Sequence, residues 1–168
     1  MSDDPVNLIE LLNKPLSDFP DLPNLPGSKW FYGKLTGEIT AEHSRQKSTP
    51  FYHIGLRITD PGKDVTASEL KSIADAGFSL ADYEAGANFY VTPNAMKMLR
   101  RFLTSLGFPE NSSFVEALAL DPETGNPTAE TKDKLRGRDV MFRTPTADDQ
   151  NRVYLNNVDM ISGQIDKK

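Results

Sequence analysis

From Trp30 onward the chain alternates between apolar and polar positions. In Trp30–Glu42, Phe31, Gly33, Leu35, Gly37, Ile39 and Ala41 fall on one parity, and Trp30, Tyr32, Lys34, Thr36, Glu38 and Thr40 on the other. Successive strand side chains point to opposite faces, so this alternation predicts a long strand with a small, apolar inner face. Phe51–Thr59 repeats it, with Tyr52, Ile54, Leu56 and Ile58 inward and Phe51, His53, Gly55 and Arg57 outward. The polar loop Glu42–Pro50 joins the two. The outer face of this hairpin mixes aromatic rings with positive charge, which solvation alone does not require.

The period then changes. Val65–Ala76 has helical spacing, with Thr66 or Asp64 as cap, Leu70, Ile73 and Ala74 on one side and Gly77 as the stop. A short turn is expected over Leu80–Ala85, and Ala87–Thr92 returns to alternation through Phe89 and Val91. The clearest helix follows: Met96, Leu99, Phe102, Leu103 and Leu106 recur at spacings of three and four. Thr92 is its expected cap, Pro93 its first helical position and Gly107 its end. Its other side carries Lys97, Arg100 and Arg101, a charge run of the kind that ordinarily faces solvent, with nucleic-acid contact as the alternative. Beyond it, a helical turn at Phe114–Leu120, a turn at Pro122–Gly125 and a short helix from Thr128 to Leu135, ended by Gly137, precede two last strands. Val140 and Phe142 alternate with Met141 and Arg143. After the polar loop Thr144–Asn151, Val153 and Leu155 alternate with Arg152, Tyr154 and Asn156, and that strand is expected to reach Ile161.

Residues 1–27 read differently. Asp3 or Asp4 caps a short helix carrying Val6, Leu8, Ile9 and Leu12, and Lys14-Pro15 ends it. Pro15, Pro20, Pro23 and Pro26 then impose an extended course. Leu8, Leu12, Phe19, Leu22 and Leu25 suit either a strap packed on the domain or an arm that docks on a protein partner.

The order of elements is therefore strand, strand, insertion (61–86), strand, helix, excursion (108–127), short helix, strand, strand. That is a mainly β chain with α additions, divided into an arm (1–27), a domain (28–162) and a tail (163–168). Five strands with the main helix between the third and fourth is the order of an OB-fold, a small, partly open barrel. Gly33 and Gly37 inside the first strand permit the sharp bend such a barrel needs. A split β-sandwich or an α+β sheet has a similar order.

Composition narrows the function classes. The 168 residues suit one domain with flanking segments, and 38% hydrophobic with 26% charged residues is ordinary for a soluble globular protein. No apolar run approaches the roughly 18 residues of a membrane span, and Asp3 and Asp4 stand where a secretory signal would be basic. The absence of Cys excludes disulfides, thiolate metal sites and a Cys nucleophile, and fits a reducing interior. The net charge of -5 argues against a protein coated in positive charge, yet no acidic residue falls between His43 and Thr59. Binding responds to the local patch rather than to the sum.

Single-strand binding combines a basic track for phosphates with aromatic faces for bases. The candidate DNA-binding residues are Trp30, Tyr32, Lys34, Arg45, Lys47, Phe51, His53 and Arg57 around the hairpin, and Arg143, Arg152 and Tyr154, beside Met141, on the last strand pair. Each has an ordinary use as well. Trp30 can seal the barrel against the Pro-rich strap, Tyr32 and Tyr154 can be cross-strand partners, His53 a hydrogen-bonded surface residue, and Arg45 and Lys47 solubility residues. Enzyme motifs are missing: there is no Gly-rich phosphate loop, G-x-S-x-G or H-E-x-x-H, and neither His43 nor His53 has a carboxylate at ligand spacing. The expectation is a non-catalytic protein without metal or cofactor.

Several segments together carry a resemblance: the Pro-rich lead-in with Lys29-Trp30-Phe31-Tyr32-Gly33-Lys34, Lys47-Ser48-Thr49-Pro50-Phe51, the run Met96–Leu103, Leu135-Arg136-Gly137-Arg138-Asp139-Val140 and Val153-Tyr154-Leu155-Asn156-Asn157-Val158. Over residues 22–162 the chain resembles a family of small bacteriophage proteins found near recombination and replication functions and associated with single-stranded DNA. The resemblance implies an OB-fold that holds single-stranded DNA in the host cytoplasm; it transfers no binding residues. Replication-type single-strand binders end in a flexible tail with an acidic, aromatic tip, whereas this sequence reads Gln164-Ile165-Asp166-Lys167-Lys168 there. Any protein recruitment then falls to residues 1–27. The competing expectation is a phage structural or assembly component that uses the same aromatic face as a protein interface, in a virion, and self-association is compatible with either.

Overall fold

A computed structural model describes residues 8–15, 22–43 and 49–163 of the chain. Its centre is one open, five-stranded antiparallel sheet in the order β3-β2-β1-β4-β5. The strands are β1 (Trp30–His43), β2 (Pro50–Pro61), β3 (Glu84–Tyr90), β4 (Asp139–Arg143) and β5 (Met160–Gly163). The helices are α1 (Leu8–Leu12), α2 (Ala67–Asp75), α3 (Met96–Ser105), α4 (Phe114–Leu118) and α5 (Ala129–Leu135).

β1 organises the sheet because it pairs along its length with β2 and along its first half with β4. Its inner parity is the expected one: Phe31, Leu35 and Ile39 are buried, and Ile54, Leu56 and Ile58 of β2 meet them. Phe31 stacks on Phe142 of β4, with ring centroids 5.9 Å apart. α3 covers the same side, its Leu99, Phe102 and Leu103 buried and its Phe102 ring stacked on Phe89 of β3 at 5.4 Å. The two register shifts of β1 fall at Tyr32/Gly33 and between Leu35 and Ile39. In the second, residues 36–38 stand opposite Gly55 alone, and Gly37 takes φ +91°, a left-handed conformation that glycine adopts without a Cβ clash. α5 lies under this bend and is tied to it by backbone bonds from Gly137 to Leu35 and from Leu35 to Arg138.

Capping residues act largely as their sequence predicts. Thr66 and Glu69 form a reciprocal capping box on α2 and Thr128 with Thr131 closes the start of α5, while Ser113, not among the expected caps, accepts from the Glu116 amide at α4. Thr92 differs: its hydroxyl accepts from the Ala95 amide at 3.2 Å, so it caps a turn containing Pro93 that precedes α3. β3 begins three residues earlier than alternation predicts, at Glu84, because Ala85 and Gly86 carry too little side chain to signal a face and are drawn in by pairing with β2.

The last strand is displaced. Residues 153–158, expected as a strand beside β4, instead run along the outer edge of β3, where Gly86 donates to Leu155 at 2.8 Å and accepts from Val158 at 2.9 Å. The Asn156-Asn157 turn keeps this stretch out of a ladder, and β5 forms from Met160 to Gly163, partly in the expected tail. β3 and β5 are the sheet's two edges and are not paired with each other.

Residues 22–29 form a packed strap. Leu25 is buried, Tyr83 donates its hydroxyl to the Pro23 carbonyl at 2.6 Å, and Asn24 bonds the Asn151 carbonyl. Burial, and secondarily the neighbouring Asp82 carboxylate, raises the Tyr83 pKa. Ile9 and Leu12 of α1 are exposed; Val6 and Phe19 lie outside the described residues. The strap is joined to β4 by Thr144, fully buried, whose hydroxyl donates to Pro26 at 2.7 Å and accepts from the Lys29 amide at 3.0 Å. Thr144→Val keeps the shape and orphans both groups, so it is expected to lower stability by about 1–3 kcal/mol, measured by urea unfolding. A change within error would show that water replaces the hydroxyl.

Candidate nucleic-acid interface

The outer face of the sheet is organised in rows that run across the strands. Nearest the β1–β2 loop, Tyr90 of β3 stands opposite Phe51 of β2, which stands opposite Glu42 of β1. The two rings lie 5.2 Å apart at 44°, and Tyr90 is 37% exposed. The next row is Asn88, His53 and Thr40, in which the His53 Nδ1 and Asn88 Oδ1 atoms are hydrogen-bonded at 2.6 Å. Then come Gly86 and Gly55, side by side. A Cβ on Gly86 would lie 2.4 Å from the His53 ring, and one on Gly55 would lie 3.0 Å from a Glu38 carboxylate oxygen. The paired glycines thus form a trough that His53 and Glu38 lie over. Asn156 closes it in a cleft of about 210 Å³.

The fourth row is ionic. Glu84, Arg57, Lys34 and Asp139 follow one another across β3, β2, β1 and β4. Arg57 pairs with Glu84 at 2.6 Å and Lys34 with Asp139 at 2.8 Å, so the two cations, neighbours in the ladder, are each held by an acid on the far side. Such exposed pairs contribute roughly 0–1 kcal/mol to stability. Their larger consequence is electrostatic, because the row sums to zero charge.

Beyond it, Tyr32 stands opposite Met141 and Trp30 opposite Arg143. Trp30, Tyr32 and Met141, with the turn Gly62-Lys63-Asp64, line a cleft of about 270 Å³. The Trp30 amide donates to Asp64 at 3.0 Å, which ties the ring's backbone to that turn. The Arg143 guanidinium lies 6.0 Å from the Trp30 ring centre and is paired with Asp159, its Nε at 2.8 Å. Lys63, at the cleft rim, has no ion pair among the described residues.

The structure therefore brings together Trp30, Lys34, Phe51, His53, Arg57 and Arg143 on one face. Tyr32 has the same parity but is buried, against the expectation of an open ring, because it packs between Met141 and the neighbouring strands. Arg152 and Tyr154 are separated from this face. Because residues 144–159 are a loop rather than a hairpin arm, those two lie beside the strap, where Tyr154, 54% exposed, lines a groove with Leu22, Pro23, Tyr83 and Glu84. Arg152 stands 5.6 Å from the Tyr154 ring and is locked onto Asp148 at 3.1 Å. The Arg152 amide is the first of the hydrogen bonds that hold the Asp148 pKa below the ordinary carboxylate value. Arg45 and Lys47 lie outside the described residues. The continuous basic track expected from sequence is thus interrupted: each described cation of the predicted set, Lys34, Arg57, Arg143 and Arg152, already has an acidic partner.

Tyr90, Asn88 and Lys63 belong to the face but were not singled out by sequence. Asn88 and Tyr90 share the outward parity of the third strand, and that signal was available. Lys63 sits in a turn with no periodicity to mark it. Among the described residues no group of three or more His, Asp or Glu is placed to hold a metal ion, and no helix is long and apolar enough to cross a membrane. Set against known proteins, the chain matches no family model and no curated protein, so its function must be read from this face.

Proposed function

We propose that this protein binds single-stranded DNA, without catalysing a reaction on it, across the outer face of the β3-β2-β1 sheet. The observation that carries this is the ladder of rows across the sheet: a tilted Phe51–Tyr90 ring pair, the hydrogen-bonding His53–Asn88 pair, a glycine trough and, further along, the Trp30–Tyr32–Met141 cleft. Flat rings for bases alternate there with polar groups for base edges, along a shallow course open at both ends. Base–aromatic stacking contributes about 1–3 kcal/mol per base and tolerates any sequence.

The strand order β3-β2-β1-β4-β5, with α3 between β3 and β4, supports assignment to the OB-fold. So do the backbone bonds from Gly86 to residues 155 and 158, which bridge the edge that a barrel would close. OB-folds bind oligonucleotides on the faces of their second and third strands and the adjoining loops. The resemblance to phage proteins supports a role in replication or recombination in the host cytoplasm. The paired cations of the face make stacking, rather than phosphate contact, its main attraction.

A titration with fluorescently labelled oligo-dT, following anisotropy together with Trp30 emission, tests this. Trp30 is the single tryptophan, so quenching reports its cleft alone. Saturable binding with quenching is expected at about 50 mM salt, weakening as salt rises. Neither signal changing at that salt would overturn the proposal. One observation favours a second reading, a phage structural or assembly protein. The zero-charge row Glu84–Arg57–Lys34–Asp139 suits a protein partner, since Trp, Tyr and Arg are also enriched in protein interfaces. No response to oligo-dT combined with stable self-association or capture of a defined assembly partner through this face would favour it.

A further inference from the structure

Of the eleven candidate binding residues, none of the described cations is free to meet a phosphate, yet a single-strand binder needs such contacts. Lys63 at the rim of the Trp30 cleft has no ion pair among the described residues, and a denser group of such cations lies elsewhere. Lys97, Arg100 and Arg101, within five residues of α3, have no ion pair among the described residues, and all three are exposed. Glu110, which shares a small cleft with Arg100, is not paired with it. Residues 85–109 contain no Asp or Glu, and neither do residues 43–59. The ladder Phe51↔Tyr90 to Leu56↔Ala85 pairs residues 51–56 of the one stretch with residues 85–90 of the other.

α3 also has the right position in the chain path. Tyr90 ends β3, the Val91 amide donates to the Pro50 carbonyl at 2.9 Å, and α3 begins at Met96. Leu99, Phe102 and Leu103 hold the helix against the sheet, which leaves the other side, Lys97, Met98, Arg100 and Arg101, to solvent; Met98 is 58% exposed. A cationic helix face reached from Tyr90 through residues 91–95, round the end of β3, fits the backbone of a polyanion whose bases stack on Phe51 and Tyr90.

Resting on the single-strand reading above, we infer that α3 supplies the phosphate track: a strand stacked on Phe51 and Tyr90 continues round the end of β3 and runs along Lys97, Arg100 and Arg101. The ion-paired sheet cations then orient the face and contribute little to the salt dependence. Stacking and phosphate contact are divided between residues 43–59 and 85–109, the rings at their shared ladder and the free charges on α3.

The test compares salt slopes of oligo-dT binding for the full-length protein, for Lys97→Ala/Arg100→Ala/Arg101→Ala, and for Arg57→Ala/Arg143→Ala. Each phosphate contact on a single strand contributes about 0.7 to the slope of log K against log salt, so losing three flattens it by about 2. Between about 50 and 200 mM salt, the wild type's loss of affinity should exceed that of the α3 variant by about sixteen-fold. The expected result is a flattened slope for the α3 variant, a nearly unchanged slope for the sheet variant, and unaltered thermal unfolding for the α3 variant. Tight binding with a wild-type slope in the α3 variant would overturn the inference and leave the single-strand reading standing. So would equal flattening in both variants. No binding by the wild type would overturn both, and the two failures are therefore distinguishable.

Discussion

Phe31→Ala is expected to lower the free energy of unfolding by about 3–5 kcal/mol. The side chain is completely buried and its ring lies on Phe142. Its backbone is paired on both sides, opposite Pro61 of β2 and Phe142 of β4. A site bounded by two ladders cannot collapse onto a missing ring, so the cavity cost adds to the lost transfer energy. Domains of this kind are stable by only about 5–15 kcal/mol, so the variant should sit close to the folding threshold. Urea unfolding followed by far-UV circular dichroism measures it, with a fall in the midpoint at unchanged m-value. A loss below about 1 kcal/mol would mean that the strands close over the gap, and that β1 is less firmly held between β2 and β4 than its pairing implies.

The second large effect is on binding. Phe51→Ala and Tyr90→Ala are each expected to cost about 1–3 kcal/mol of affinity for oligo-dT, or roughly 5-fold to 150-fold. The rings meet at 5.2 Å, tilted by 44°, on the solvent side of the sheet, with Phe51 half-buried and Tyr90 exposed. Removing either leaves the core of Phe31, Ile54, Leu56 and Phe142 untouched, so the stability change should stay near the value of an aromatic pair, about 0.5–1.5 kcal/mol. No charge is removed, and the salt slope should be that of the wild type. Anisotropy titrations at two salt concentrations give both quantities. Tyr154→Ala is the matched control: its ring lies beside the strap and should leave affinity unchanged. Equal losses for Tyr154 and Tyr90 would place the ligand elsewhere.

Much of the molecule was legible in the order of its residues. The alternation of Phe31, Leu35 and Ile39, and of Ile54, Leu56 and Ile58, marks the buried face directly, because a strand's period is set by its backbone and does not depend on its neighbours. The stripe Leu99–Phe102–Leu103 marks α3 for the same reason, and Thr66 and Thr128 mark helix starts because their caps are made within four residues. Positions whose side chains are too small to carry a period were missed: Ala85 and Gly86 enter β3 through pairing alone. The stretch 153–158 carries a genuine alternation, yet follows the edge of β3, a neighbour far away in sequence.

The candidate site divides along the same line. Sequence alone determined which residues are aromatic or cationic, and parity determined that Trp30, Tyr32, Lys34, Phe51, His53 and Arg57 share an outer face. It also determined that residues 43–59 and 85–109 are free of acids in an acidic chain. Only the tertiary structure decided which charges remain available. Lys34 and Asp139, Arg57 and Glu84, and Arg143 and Asp159 are separated along the chain by 16 to 105 residues, and they meet because of strand order and register or the turn into β5. Charge compensation acts over a few ångströms in space whatever the separation in sequence, so composition could show the cations but not their neutralisation. The same register brings Phe51 to Tyr90 and residues 51–56 to residues 85–90, while Lys97, Arg100 and Arg101 of α3 have no ion pair among the described residues.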